Sequence, residues 1–245
     1  MKKNAFLFVC LSAVLTLLNL TSCSNTQEKV LPESVAENAT TEGAKMAAYN
    51  YTIPLSSFIY YNQGNTGCTN ATYRANGCLP ASCLMAAHLR NTSIPVTASR
   101  FTTYCAGMGT NSNGTTITNG RIYLKNNVFG TQINNEAYTS TSTSTTYDTG
   151  RTTTKDRIKL HLSSNYPVVA LVKYASSSKT VTTSGNLNHF VMIVGLNETA
   201  SGTGSTVYYY DPNNNSGLKS CDWSVFLNAM KTASAFNAYN FMRVG

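Results

Sequence analysis

Three dense runs of β-branched and aromatic residues in the second half of the chain constrain the fold more than any other feature. They are YPVVALVKY (166–174), HFVMIVGL (189–196) and TVYYYDP (206–212). Such runs favour β-strands, and the turn-rich NETASGTG between the last two favours a hairpin. With NAYNFMRVG (237–245) as a closing strand, we expect an antiparallel sheet in this half.

The first half of the chain is predicted to be mostly helical. The run from Leu79 to Arg90 is rich in Ala, Leu and Met, and Pro80 suits a first helical turn, where its missing N–H costs nothing. Helices followed by strands predict an α+β fold. We also predict helices at 95–108, 120–130, 155–165 and 222–230, and an exposed Ser/Thr-rich loop at 139–154.

The N-terminus has the layout of a bacterial export signal rather than of a spanning helix. Lys2 and Lys3 precede an apolar run (5–20) that ends in small and polar residues before Cys23. The ending LTSC resembles the lipobox of bacterial lipoproteins, so we predict a lipoprotein signal peptide at 1–22 and lipidation of Cys23. The alternative is an ordinary signal peptide that is cut near the same place.

Residues 23–49 are polar and are expected to form a flexible tether, which leaves 50–245 as one domain held at the bacterial cell envelope by the lipid. The domain keeps the whole net charge of +8, because signal and tether contain equal numbers of lysines and glutamates. Its basic residues are scattered, so no nucleic-acid partner is expected. No Cys/His spacing is typical of zinc, and we expect a monomer without a cofactor.

The cysteines of the predicted domain are odd in number. They are Cys68, Cys78, Cys83, Cys105 and Cys221. Export favours disulfides, so one cysteine must stay reduced or pair between molecules. The other four could form two disulfides, in any of three connectivities.

His189 and Asp211 stand at the same end of the predicted hairpin. Residues paired across antiparallel strands have positions with a constant sum. Positions 189 and 211 are centred on 200, and the loop at 197–204 is centred almost on the same position. A simple hairpin therefore sets the imidazole beside the carboxylate, the arrangement that holds a catalytic histidine in one tautomer.

Cys78 lies where the apolar helical run begins. A disulfide or a buried core position would explain it, and so would a nucleophile, because a helix N-terminus and a nearby imidazolium favour the thiolate. On the third interpretation Cys78 is the nucleophile, His189 is general base and then acid, and Asp211 orients His189.

Other cysteines and histidines fit this chemistry less well. Cys83 lies a full turn into the helix, and Cys68 precedes TNATYRANG, which cannot open an apolar helix. Cys68, Cys83, Cys105 and Cys221 are better interpreted as disulfide partners or small core residues. His88 and His161 have no carboxylate at a telling spacing, and we expect surface or satisfied side chains.

Several segments resemble papain-like cysteine peptidases of the double-glycine leader peptidase type and their exported relatives. GCLPASCLMA (77–86) resembles the nucleophile segment, NHFVMIVGLN (188–197) the histidine strand, and VYYYDPNN (207–214) the strand ending in Asp-Pro. NYPVVALV (165–172) and CDWSVFLNAM (221–230) resemble the strand and helix that accompany them.

The resemblance runs in pieces from about Tyr51 to Met230. It implies a papain-like fold, with the nucleophile on the N-terminus of a central helix in a helical first half, and with the histidine and aspartate on an antiparallel sheet. It makes Cys78, His189 and Asp211 the catalytic triad and Gln63 a side-chain donor to the oxyanion hole.

Two features depart from that pattern. Leu79 stands where the family often has glycine, and the segment Gly130–Thr154 matches nothing in it. The sequence contains no transporter domain, so the leader-processing role is not implied.

The sequence therefore predicts an exported thiol hydrolase that cleaves peptide or amide bonds through a thioester. One alternative is an inactive, disulfide-braced surface lipoprotein that binds a partner or a glycan. Another is acyl transfer to an amine instead of water, which would use the same three residues.

Overall fold

A mixed arrangement of helices and strands is seen in the computed structural model of the chain. The described residues are 51–107, 116–118, 121–123, 127–128, 131–140, 148–198, 204–213, 217–234 and 238–245. The predicted signal peptide, Cys23 and the tether up to position 49 lie outside them. None of the helices in the described residues is long and apolar enough to span a bilayer.

The first three helices precede all but one of the described strands. The helices are α1 (Ala71–Asn76), α2 (Cys78–Arg90), α3 (Ala98–Gly107), α4 (Thr149–Ser163) and α5 (Trp223–Ala233). The strands are β1 (Tyr51–Thr52), β2 (Thr116–Thr118), β3 (Arg121–Tyr123), β4 (Asn127–Val128), β5 (Thr131–Thr139), β6 (Val168–Ala175), β7 (Thr180–Val181), β8 (Leu187–Asn197), β9 (Thr206–Tyr210), β10 (Leu218–Asp222) and β11 (Ala238–Val244).

Nine of the described strands join in one sheet in the order β10-β9-β8-β6-β11-β5-β4, with β1 added beside β8 and β7 beside β6. Every pairing among them is antiparallel. The α+β class and the antiparallel sheet are therefore confirmed.

The sheet is covered on both faces, which explains the unbroken apolar runs of its central strands. On β6, Val169 and Leu171 belong to the core under α2 and α3. Their neighbours Val168 and Val172 belong to a second core under α4 and α5. Because alternate residues point to opposite faces, a strand buried on both sides needs apolar residues at every position.

Helix α2 lies against the middle of the sheet. All of its residues from Cys78 to His88 are buried. One turn after Cys78, the hydroxyl of Ser82 donates to the carbonyl of Phe190 on β8 at 3.2 Å. This buried hydrogen bond fixes the start of α2 against the strand that contains His189.

The helix predicted at 120–130 is wrong. Arg121–Tyr123 pairs with Thr116–Thr118, and Asn127–Val128 pairs with β5. The glycines at both ends leave too short a run for a stable helix, and pairing with neighbouring strands decides the conformation.

The loop predicted at 139–154 is wrong in its last part. Helix α4 begins at Thr149, because the Asp148 side chain accepts from the N–H of Arg151 and caps the first turn. Gly150 brings this turn against β5, where a Cβ would lie 2.3 Å from the carbonyl oxygen of Thr139. Strand β5 itself, in the segment without a family counterpart, was not predicted, and 141–147 lies outside the described residues.

Glu136 on β5 anchors α4 to the sheet. Its carboxylate accepts two hydrogen bonds from Arg157, at 2.8 and 2.9 Å, and lies 2.5 Å from Nε2 of His161. Tyr138 donates a further bond at 2.8 Å. Burial alone would raise the pKa of Glu136, but these donors together lower it to about 2.

We expect Glu136→Gln to lower the free energy of unfolding by about 2 kcal/mol, because Arg157 and His161 lose a charged acceptor. Since the pKa of Glu136 is lower in the folded state, its contribution is complete above the unfolded value of about 4.3 and is lost as pH falls towards 2. Urea unfolding at pH 7 and pH 3 measures both effects. The control Asp156→Asn changes a carboxylate whose side chain is 64% exposed and should change little.

Candidate active site

The start of α2 presents Cys78 at the first helical position. Gly77 is the N-cap residue, and its carbonyl accepts the first helical hydrogen bond, from the N–H of Ala81 at 2.9 Å. It has no side chain that could cap the first turn. Only glycine fits there, because a Cβ would lie 2.4 Å from both Phe101 and the carbonyl oxygen of Tyr73. The local sequence thus leaves the N–H groups of the first turn without a side-chain cap beside the sulfur.

Cys78, His189 and Asp211 form a continuous hydrogen-bonded chain. Nε2 of His189 lies 2.7 Å from Oδ1 of Asp211, and both side chains are completely buried. The Cys78 sulfur shares a hydrogen bond with the imidazole. Because Asp211 occupies Nε2, the nitrogen left for the thiol is Nδ1.

The hairpin reaches this geometry with a register different from the predicted one. Met192 is opposite Tyr210, and a bulge shifts the ladder between Ile193 and Gly195. Asp211 follows the last residue of β9 and is not directly opposite His189. The simple hairpin was therefore wrong by two residues at this end, because the last pair before the turn, Asn197 opposite Thr206, is centred beyond position 200, although the two side chains still meet.

Asp211 accepts hydrogen bonds on both of its oxygens. In addition to its contact with His189, Oδ1 accepts a hydrogen bond from the N–H of Asn213 at 2.8 Å. Oδ2 accepts from the hydroxyl of Tyr174 at 2.5 Å and lies 3.5 Å from Nζ of Lys219. Burial would raise the pKa of Asp211, but His189, Tyr174 and the Asn213 N–H hold it well below its usual range.

The charge on His189 is favoured by its partners. Burial opposes an imidazolium, but the carboxylate of Asp211 and the sulfur of Cys78 raise the pKa of His189 well above its ordinary value. The ring of Tyr174 packs against the imidazole with the ring centroids 4.4 Å apart. This arrangement can hold an imidazolium next to a thiolate.

Gln63 is buried near the junction of α1 and α2. Its Nε2 donates to the carbonyls of Arg74 at 3.1 Å and Ala75 at 3.4 Å, a few positions before Cys78. Its backbone N–H donates to the carbonyl of Pro212 at 2.8 Å. Gln63 therefore links the segment before the nucleophile helix to the turn after Asp211.

The expected disulfides are not seen. Within the described part of the chain all cysteines are reduced, namely Cys68, Cys78, Cys83, Cys105 and Cys221. Burial, followed by charges nearby, raises the pKa of Cys83, Cys105 and Cys221. A buried thiol with a raised pKa is a poor nucleophile. Cys83 and Cys105 are core residues, and Cys221 is partly exposed and packs against the second core.

The two other histidines are structural. Both ring nitrogens of His88 contact backbone carbonyls, of Ile94 at 2.7 Å and of Ser57 at 2.9 Å. His161 is satisfied, as predicted, and its partner is the carboxylate of Glu136, which no sequence spacing indicated. That partner comes from β5, which the sequence did not reveal as a strand.

Two residues at the site were not found from the sequence. Tyr174 lies two residues beyond Val172, which is opposite His189, so a correct register would have placed it near the imidazole. Lys219 lies on the short strand β10, and nothing in its sequence surroundings indicates a contact with Asp211.

The described residues contain no group of three or more His, Cys, Asp or Glu side chains that could hold a metal ion. An α+β fold that joins a helix-terminal cysteine to a buried histidine and aspartate has the arrangement of the thiol-hydrolase class. The model of the Peptidase_C39 like family matches residues 55–241, and the chain belongs to this family of cysteine peptidases. No curated protein and no solved structure matches the chain.

This match confirms the predicted resemblance to cysteine peptidases at the level of the family. The relationship to exported lipoproteins stays a prediction.

We expect Gly77→Ala to destabilise the protein by about 1–3 kcal/mol, because the new methyl group overlaps Phe101 and the backbone of Tyr73. Thermal unfolding measures the loss. The control Gly64→Ala adds a methyl group that meets only the Asn62 side chain, at 3.3 Å, and should change little. Equal melting temperatures for the two variants would contradict the close packing at the start of α2.

Proposed function

We propose that the protein is an exported thiol hydrolase that cleaves peptide or amide bonds, with Cys78 as nucleophile. The observation that supports this best is the hydrogen-bonded chain from Cys78 through His189 to the buried Asp211. Membership of a cysteine peptidase family supports peptides or proteins as substrates. A papain-like arrangement, with the nucleophile at the start of a central helix, agrees with the position of α2.

Acylation begins from the thiolate–imidazolium pair. The Cys78 sulfur attacks the carbonyl carbon, forming a C–S bond and a tetrahedral oxyanion. As the oxyanion collapses, the C–N bond breaks and the departing nitrogen takes the proton from His189. The amine product leaves, Cys78 holds the acyl group as a thioester, and His189 is neutral.

Deacylation uses the neutral imidazole as a base. His189 takes a proton from water while the water oxygen attacks the thioester carbon. The second tetrahedral intermediate collapses with loss of the sulfur, which returns as a thiolate beside the imidazolium. Asp211 stays ionised throughout and keeps the imidazole oriented.

Gln63 and the N–H of Cys78 are proposed as the oxyanion donors. The amide nitrogen of Gln63 already faces the segment that leads to Cys78. Its longer contact, 3.4 Å to the carbonyl of Ala75, is the one that an oxyanion would replace. Donors held in place before the reaction stabilise the charge without reorganisation.

The non-enzymatic alternative depended on disulfides and on a Cys78 distant from His189. The reduced cysteines and the hydrogen bond between these two residues favour the hydrolase instead. Lipidation at Cys23 and a place at the cell envelope complete the proposal. Both rest on the sequence alone, because Cys23 lies outside the described residues.

Thiol labelling and hydrolysis together test the nucleophile. Iodoacetamide is expected to label Cys78 selectively well below pH 8, and His189→Ala should slow this labelling, since the imidazolium favours the thiolate. Cys78→Ala should abolish cleavage of labelled casein and of a mixed peptide library, whereas the control Cys221→Ser should retain it.

Unchanged hydrolysis by Cys78→Ala would refute the proposal. An oxidised Cys78, or one that reacts like an ordinary thiol, would favour the binding module. Mass spectrometry of the products in the presence of an added amine distinguishes hydrolysis from acyl transfer.

We expect Gln63→Leu to lower kcat by about 10²–10³-fold, because one oxyanion donor is lost. The rate at which iodoacetamide labels Cys78 should hardly change, since no oxyanion forms in that reaction. Gln132→Leu replaces an exposed glutamine on β5 and is the matched control. Parallel losses of labelling and turnover in Gln63→Leu would indicate a general disturbance of the site instead.

A further inference from the structure

The carboxylate of Asp211 has a cationic neighbour besides His189. Nζ of Lys219 lies 3.5 Å from Oδ2, on the oxygen that does not face the imidazole. The Lys219 side chain is only 14% exposed, and Asp211 is fully buried. An ammonium that close to a buried carboxylate is screened far less than a surface pair.

Lys219 is held in this position by the backbone. Its strand, β10, pairs with β9, which leads directly into Asp211. The ammonium also donates to the carbonyl of Lys179 in the turn between β6 and β7. Lys179 has a φ of 52°, a left-handed conformation that is uncommon for a residue with a side chain. The turn thus directs a carbonyl at the lysine.

The charges at the site change during the proposed reaction, and this change affects the buried carboxylate of Asp211. Before acylation, the thiolate, the imidazolium and the carboxylate coexist. In the thioester, Cys78 is uncharged, and His189 must be neutral to activate water. A fully buried Asp211 then has no charge on His189 to balance it, and an uncompensated buried carboxylate costs several kcal/mol.

We propose that Lys219 is a positioning residue whose ammonium balances Asp211 while His189 is neutral, so that the imidazole can act as base in deacylation. This inference rests on the proposed function. Without the lysine, the buried carboxylate would hold the proton on His189 more tightly. The acyl-enzyme would then accumulate at neutral pH, because a protonated imidazole cannot take a proton from water.

The other groups that face His189 do not supply this charge. Cys78 comes from α2, Tyr174 from β6 and Asp211 from the end of β9. Tyr174 donates a neutral hydrogen bond to Asp211. Burial lowers the pKa of Lys219, and the nearby charge of Lys179 lowers it as well. The carboxylate of Asp211 acts in the opposite direction. Among these groups, Lys219 is the cation in contact with the carboxylate.

The test is a titration of His189 that needs no substrate. Histidine-labelled protein with Cys78→Ala, which represents the state without a thiolate, is titrated by NMR with and without Lys219→Gln. We expect the neutral variant to raise the pKa of His189 by about one unit, because a positive charge next to its carboxylate partner is lost. Lys219→Arg keeps the charge and should leave the pKa of His189 within a few tenths of the reference.

Internal references and a matched variant make the result specific. The NMR signals of His88 and His161, which lie in other surroundings, report whether each variant is folded. Lys231→Met removes a partly buried lysine 3.8 Å from another buried aspartate, Asp148, and should not move the pKa of His189. Lys219→Met gives a second neutral variant if Lys219→Gln folds poorly.

An unchanged pKa of His189 in both neutral variants would overturn the role of Lys219 and leave the proposed hydrolase intact. An equal rise in Lys219→Arg would also overturn it, because geometry and not charge would then be responsible. The proposed hydrolase activity is tested separately by the cleavage assay of Cys78→Ala, since the titration involves no hydrolysis.

Discussion

A carboxylate with no exposed surface is the constraint on which the site depends. Asp211 can stay ionised there only because four donors from different parts of the chain surround it: His189, Tyr174, Lys219 and the N–H of Asn213. These donors come from β6, β8, β10 and the turn after β9, so the carboxylate also ties neighbouring strands together at one end of the sheet. Removing it would leave several buried donors unsatisfied, and its loss would therefore affect stability as well as chemistry.

The cores on both faces of the sheet explain how the strands are held in place at the end where Asp211 lies. Because β6 and β8 are covered on both faces, their registers are fixed by cores on both sides, and a slip of one residue would exchange those cores. The bulge between Ile193 and Gly195 is the one irregularity between β8 and β9 in the described residues. It lies on the side of the strand away from the Asp211 end, so the irregularity is absorbed without disturbing the contact between His189 and Asp211.

Sequence reasoning succeeded where the information was local. The start of α2 at Cys78 could be predicted from Pro80 and the apolar run behind it, and the hairpin brought His189 and Asp211 to one end. Sequence reasoning failed where pairing between distant segments decides the structure. The strands at 121–123 and 131–139 contain weak local signals, and Asp148 was not recognised as the cap of α4. Lys219 reaches Asp211 only because β10 pairs with β9, which neither its neighbours nor its spacing indicates.

Burial by itself does not distinguish Cys78 from the other thiols. Cys78 is only 7% exposed, and Cys83 is completely buried one turn further along the same helix. Both sulfurs are poorly solvated, which disfavours the thiolate at each of them. What differs is the surroundings: Cys78 has the imidazole of His189 and lies in a first turn without a side-chain cap, while Cys83 lies in the apolar core, where burial and the sulfur of Cys78 raise its pKa. The proposed reactivity therefore comes from partners that the fold brings to the first turn of α2, and the helix position alone would not supply it.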